Sequence, residues 1–111
     1  MQWTSVCSAD LIPADAGAAA LINGVQIAVF CVGNEVFAID NYDPIGNANV
    51  LARGIVGDIN GELCVASPLY KQHFSLRTGA CLEDANVRVN TYDVRIHNGV
   101  IEIAQRRAEA A

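Results

Sequence analysis

The dipeptide Asn-Gly recurs three times in this chain, at Asn23-Gly24, Asn60-Gly61 and Asn98-Gly99. Both of its residues tolerate the positive φ that a two-residue β turn demands, so each occurrence marks a point where the chain can reverse and pair with itself. Strand-like runs flank every one: Ala18 to Ile22 with Val25 to Val32, Ile55 to Ile59 with Glu62 to Ala66, and Tyr92 to His97 with Val100 to Ile103. Gly33-Asn34 adds a fourth reversal, leading into Glu35 to Asp40. Tyr92, Val94 and Ile96 alternate with Thr91, Asp93 and Arg95, the period of a half-buried strand. Frequent turns between short strands predict an all-β fold, an antiparallel β-sandwich or small barrel of hairpins. No long helical period competes with this reading. Ser8 to Ala16, which carries Asp10 and Pro13, reads as a loop or one short helical turn. The expected organisation is a β domain over residues 1–103 followed by an alanine-rich, charged tail over 104–111.

A chain of 111 residues fits one domain. With 52% apolar residues it can build a core without metals or disulfides. The net charge of -5, and basic residues that cluster nowhere beyond Arg106-Arg107, argue against nucleic acid as a partner. No cationic leader follows Met1 and no apolar run approaches the ~18 residues of a membrane span, so the expected compartment is the cytoplasm. Cys7, Cys31, Cys64 and Cys81 are therefore expected to be reduced and to pack as small apolar residues.

Two connections are longer than a hairpin needs, Asn41 to Leu51 and Ser67 to Gln72, and loops on a rigid β scaffold are the usual seat of function. Asp40 and Asp43 flank the first and form a conceivable acid–base pair, but aspartates in a turn more often cap their own backbone. Ser67 with His73 lacks an orienting third group and an oxyanion-hole glycine, which argues against a hydrolase. Cys64, His73 and Cys81 fall short of the four closely spaced ligands of a structural zinc site. Lys71 and Arg77 are candidate anion contacts, read more simply as solvated charges.

Both loops resemble those of Rieske-type domains, in which two loops at one tip supply Cys-x-His and Cys-x-x-His to a [2Fe-2S] cluster. Glu35-Val-Phe-Ala-Ile-Asp-Asn41 looks like the strand entering the first loop, and Val65 to Gly79 like the second loop with its following strand and turn. The ligand residues themselves are missing. The first pattern is replaced by Asp43-Pro44-Ile45 and the second by Ser67-Pro68-Leu69-Tyr70, so Asp43, Ile45, Ser67 and Tyr70 stand as vacated ligand positions. None of the four cysteines is followed by a histidine at either spacing.

The run Ser67 to Asp84, the Asp43-Pro44 loop, Leu51-Ala-Arg-Gly54 and Trp3 with Val6-Cys7 resemble the small subunits of cytoplasmic NAD(P)H-dependent assimilatory nitrite reductases. That resemblance implies a Rieske-like domain with no catalytic residue, no metal and no cofactor of its own. It implies a large-subunit partner carrying FAD, a [4Fe-4S] cluster and sirohaem, which reduces nitrite to ammonium. Ile45, Leu69 and Tyr70 are the candidate docking residues, because apolar side chains at a loop tip either face a partner or fill the space a cluster would take. A free-standing binding module and a [2Fe-2S] electron-transfer ferredoxin are the competing readings.

Overall fold

The computed structural model describes residues 2–104. Eleven strands follow one another: β1 (Trp3–Ser8), β2 (Ala16–Ile22), β3 (Val25–Val32), β4 (Glu35–Asp40), β5 (Tyr42–Asp43), β6 (Ala48–Asn49), β7 (Ile55–Ile59), β8 (Glu62–Ala66), β9 (His73–Ser75), β10 (Thr91–His97) and β11 (Val100–Ala104). Each Asn-Gly closes the expected hairpin, because Ile22 pairs with Val25, Ile59 with Glu62 and His97 with Val100 across it. Asn23, Asn60 and Asn98 adopt φ of 50°, 52° and 53°, and the glycines after them 82°, 87° and 77°. These are the paired left-handed residues that match the twist of the flanking strands.

Six strands form a curled antiparallel sheet in the order β1-β11-β10-β4-β3-β2. A three-stranded sheet, β7-β8-β9, and the two-stranded β5-β6 make a smaller module. Strands β3 and β4 are covered on both faces. Ala28, Phe30, Phe37 and Ile39 enter one core with Leu51, Val65, Phe74 and Leu76; Ile27, Val29 and Ala38 enter another with Ile12, Ile22, Ile101 and Ile103. Two-sided burial explains why Val25 to Val32 is almost continuously apolar rather than alternating. Full burial of side chains such as Phe30 and Phe74 contributes about 2 to 3 kcal/mol each. The first core bridges the large sheet and the smaller module, and so fixes where the loops of that module sit.

The structure departs from the sequence expectations in several places. Residues 41–51 are not a plain loop, because they hold the β5–β6 hairpin and enter a 3₁₀ turn at Leu51–Arg53. Strand β2 begins at Ala16, and a 3₁₀ turn at Ala9–Leu11 supplies the short helical element before it. Strand β1, unpredicted, pairs with β11, and the Arg95 guanidinium stacks 4.2 Å over the Trp3 ring while pairing with Glu102 at 2.7 Å. Ala104 is the last residue of β11 rather than the first of a tail, and the remaining tail residues, 105–111, lie outside the described residues. All four cysteines are free thiols; Cys64 and Cys81 are buried, but Cys7 and Cys31 are only partly so, because they border the rim of the second core. No helix among the described residues is long and apolar enough to cross a membrane.

Candidate functional site

The two loops singled out in the sequence meet at one tip. The first is anchored by Asn41, whose backbone carbonyl accepts the N–H groups of Val50 and Leu51. Its side-chain oxygen accepts the N–H of Ala52, and its amide nitrogen donates to Gln26 Oε1. Strands β5 and β6 then carry a tight turn in which the Asn47 N–H bonds the Asp43 carbonyl and Asn47 takes φ of 56°. The second loop leaves β8 at Ser67 and closes on itself, with Ser67 N–H to the Gln72 carbonyl and Lys71 N–H to the Ser67 carbonyl. Lys71 at φ 63° makes that reversal possible.

Asp43 and Ser67 join the loops. Asp43 is 0% exposed and Ser67 1%. The Ser67 hydroxyl donates to Asp43 Oδ2 at 2.5 Å, across 24 residues of sequence. Asp43 Oδ1 accepts the N–H groups of Ile45 and Gly46 at 2.8 and 3.1 Å, and Ser67 Oγ accepts the Leu69 N–H at 3.3 Å. A buried carboxylate is tolerated only when its lone pairs are met, and here two backbone donors and one hydroxyl meet them. A second contact lies beside the first, because a Cβ on Gly46 would come within 2.4 Å of Leu69 Cδ1. Glycine lets the Leu69 side chain lie flat on the first loop.

The four positions read in the sequence as vacated ligand positions therefore divide in two. Asp43 and Ser67 face each other in the interior, whereas Tyr70 points outward at 64% exposure. Ile45 packs against the first core and is half-buried; Leu69 is 44% exposed. Of the three candidate docking residues, Leu69 and Tyr70 present apolar surface at the tip and Ile45 mostly fills space beneath it.

A Rieske cluster requires two thiolates on one iron and two imidazoles on the other. A carboxylate committed to three hydrogen bonds, an aliphatic, a serine hydroxyl and an outward phenol do not fit that requirement. Cys64 is unsuited as well: burial, with Glu83, Asp58 and Glu62 nearby, pushes its thiol up, which disfavours the thiolate a metal needs.

The other sequence candidates resolve into structural contacts. Asp40 is not an acid–base partner of Asp43; its Oδ1 accepts the Tyr92 hydroxyl at 2.5 Å and its Oδ2 the Asn90 N–H. Burial, reinforced by Asp40, drives the Tyr92 phenol above its ordinary range. His73 does not reach Ser67. Its ring and its N–H both bond Glu83, and although partial burial opposes the charge, those bonds hold the Glu83 carboxyl below its usual range. Arg77 is paired with Glu35 at 3.0 Å and lies 5.1 Å from the Phe37 ring centre, so it is not a solvated, waiting cation. The Asp43–Ser67 contact went unread in the sequence because nothing local in either loop announces a partner 24 residues away.

Comparison with known proteins places these observations. Residues 2–104 match the family model described as a Rieske-like [2Fe-2S] domain. The small subunit of NADH nitrite reductase from Salmonella typhimurium is 44% identical over 104 residues, covering 92% of this chain and 96% of that one. The solution structure of a nitrite reductase [NAD(P)H] small subunit from Erwinia carotovora superposes with a TM-score of 0.81 at 46% identity, covering 98% of this chain and 85% of the other. A nitrite reductase [NAD(P)H] large subunit from Klebsiella oxytoca is 41% identical over 113 residues, which takes in 98% of this chain but only 12% of that protein.

Proposed function

The chain belongs to the Rieske-like [2Fe-2S] domain family, among the small subunits of NADH-dependent nitrite reductase, and on that footing we propose that it serves the enzyme by docking rather than by redox chemistry. It is part of an oxidoreductase complex whose large subunit is its partner. That large subunit carries the catalytic apparatus in the cytoplasm; FAD, a [4Fe-4S] cluster and sirohaem bound there would supply the redox chemistry between the nicotinamide cofactor and nitrite. This chain contributes no cofactor and no catalytic residue.

One observation carries the reading: the positions that would supply thiolates are a buried, mutually bonded Asp43 and Ser67. The loops that would surround a cluster are instead locked to each other. A rigid tip with exposed Leu69 and Tyr70 above it suits a binding face, since interface anchors are typically aromatic or apolar groups on a preorganised support. The four free cysteines are compatible with a reducing compartment.

The test is reconstitution of the large subunit with and without this chain. Addition is expected to raise nitrite turnover or the thermal stability of the large subunit. Identical turnover and identical melting in both preparations would rule the proposal out.

A further inference from the structure

The tip carries more than Leu69 and Tyr70. Tyr42, on β5, is also exposed, and its hydroxyl donates to Asn47 in the turn of the first loop. Ile55 opens β7 opposite Ala66, the residue before the second loop, and is 78% exposed. Arg53 lies between the roots of the two loops. Ala52, just before it, bonds Asn41 at the base of the first loop, and Gly54, just after it, packs against the Ala66 carbonyl at the base of the second. Lys71 follows Tyr70 in the left-handed turn of the second loop. Four exposed apolar or aromatic groups and two cations thus share one end of the smaller module.

Charge divides the domain unevenly. Arg53 and Lys71 are exposed, and among the described residues neither side chain has a bonding partner. The other described arginines are engaged: Arg77 by Glu35, Arg95 by Glu102 and Arg88 by the Thr78 carbonyl. No exposed carboxylate lies in residues 42–55 or 67–72, because Asp43 is buried and its oxygens are committed. Glu83, which follows β9, is bound to His73. Asp58 and Glu62 sit at the far end of the β7–β8 hairpin, and Asp10 follows Ala9, whose N–H bonds the Gly99 carbonyl of the β10–β11 turn. A chain of net charge -5 therefore presents a cationic end.

We infer that the large-subunit surface receiving this tip is an apolar recess edged with carboxylates, which pair with Arg53 and Lys71. The inference rests on the docking reading above and specifies the chemistry of the partner surface. Covering an unpaired cation with a neutral surface costs its hydration and returns nothing, so a face that buries these two groups must supply opposite charge. An acidic surface also repels the carboxylate-bearing flanks of the domain, and only a tip-first approach brings opposite signs together. Tyrosine and arginine are the side chains that most often anchor interfaces, and both stand here on a support locked by Asp43 and Ser67. A basic partner surface would instead take an acidic flank and leave the tip in water.

Calorimetric binding of full-chain variants to the large subunit tests this, with thermal melts to establish that each variant folds. The double variant Arg53→Gln with Lys71→Gln removes both charges and is expected to raise Kd about tenfold; Arg53→Glu with Lys71→Glu sets like charges together and is expected to raise it about 100-fold. Glutamine and glutamate are alike in size, so that graded order reports charge and not lost side-chain volume. Ile55→Ser should raise Kd about tenfold, and an unchanged value would overturn the apolar part of the recess. Asp10→Lys alters the net charge as much as one of the reversals, outside the tip, and is expected to leave Kd within about twofold. Gln and Glu variants that bind as the parent chain does would overturn the inference, as would a Glu variant that binds more tightly while Asp10→Lys binds more weakly. If truncation of Leu69 and Tyr70 still weakens binding in that case, docking by the tip stands and only its charge chemistry falls. Failure of the unaltered chains to associate at all would overturn the docking reading and this inference with it.

Discussion

Asp43→Ala is expected to lower the unfolding free energy by about 3 kcal/mol, a large loss for a single side chain of a small β domain. The carboxylate is fully buried and accepts three hydrogen bonds, from the N–H groups of Ile45 and Gly46 and from the Ser67 hydroxyl. Alanine removes the acceptor and strands the donors. Each buried donor left unmet costs about 1 to 3 kcal/mol, and the lower end applies to Ile45 and Gly46, which water reaches in part. Asp43→Asn retains an acceptor for the loop N–H groups, so roughly half that loss is expected. Ser67→Ala should cost less than Asp43→Ala because it leaves the backbone bonds of Asp43 in place. Urea unfolding of the single variants and the double variant checks this, and a coupling of about 1 kcal/mol or more is expected between residues in direct contact. Additive effects would mean that the two loops are not clamped through this pair.

The second large effect falls on association. Replacing Leu69 with Ser and Tyr70 with Ala together is expected to weaken binding to the large subunit about 100-fold, the loss that follows when two anchor side chains are removed from an interface. Stability should hardly move. Both side chains are substantially exposed in the free domain, and truncation of an exposed group usually stays within about 0.5 kcal/mol. Ile45→Ala supplies the contrast, because this residue packs against the first core, and its truncation should lower stability. Binding followed by calorimetry alongside thermal melts separates the two outcomes. Unchanged affinity of the Leu69/Tyr70 variant would move the docking face away from the tip.

The hairpins were legible because their cause is local. An Asn-Gly pair accepts positive φ whatever surrounds it, and all three occurrences do so. The two loops of the tip were legible for a similar reason, since the family pattern is a short spacing and each loop can be compared with it residue by residue. Asp43 was half legible. Its turn-capping bonds to Ile45 and Gly46 lie within three residues and follow from its type, whereas its bond to Ser67 depends on how two sheets pack. The same limit applies to β1, which owes its existence to pairing with β11 at the far end of the chain. Arg77 shows it once more. An isolated basic residue on a strand reads as solvated until the fold brings Glu35 beside it from 42 residues away.

The most direct measurement is iron and acid-labile sulfide in this chain expressed and purified without oxygen, together with its visible spectrum. Neither element in stoichiometric amount, and no absorbance beyond the aromatic band, is the expected result for a tip closed by Asp43 and Ser67. Two irons and two sulfides per chain, with the colour of a [2Fe-2S] centre, would contradict it.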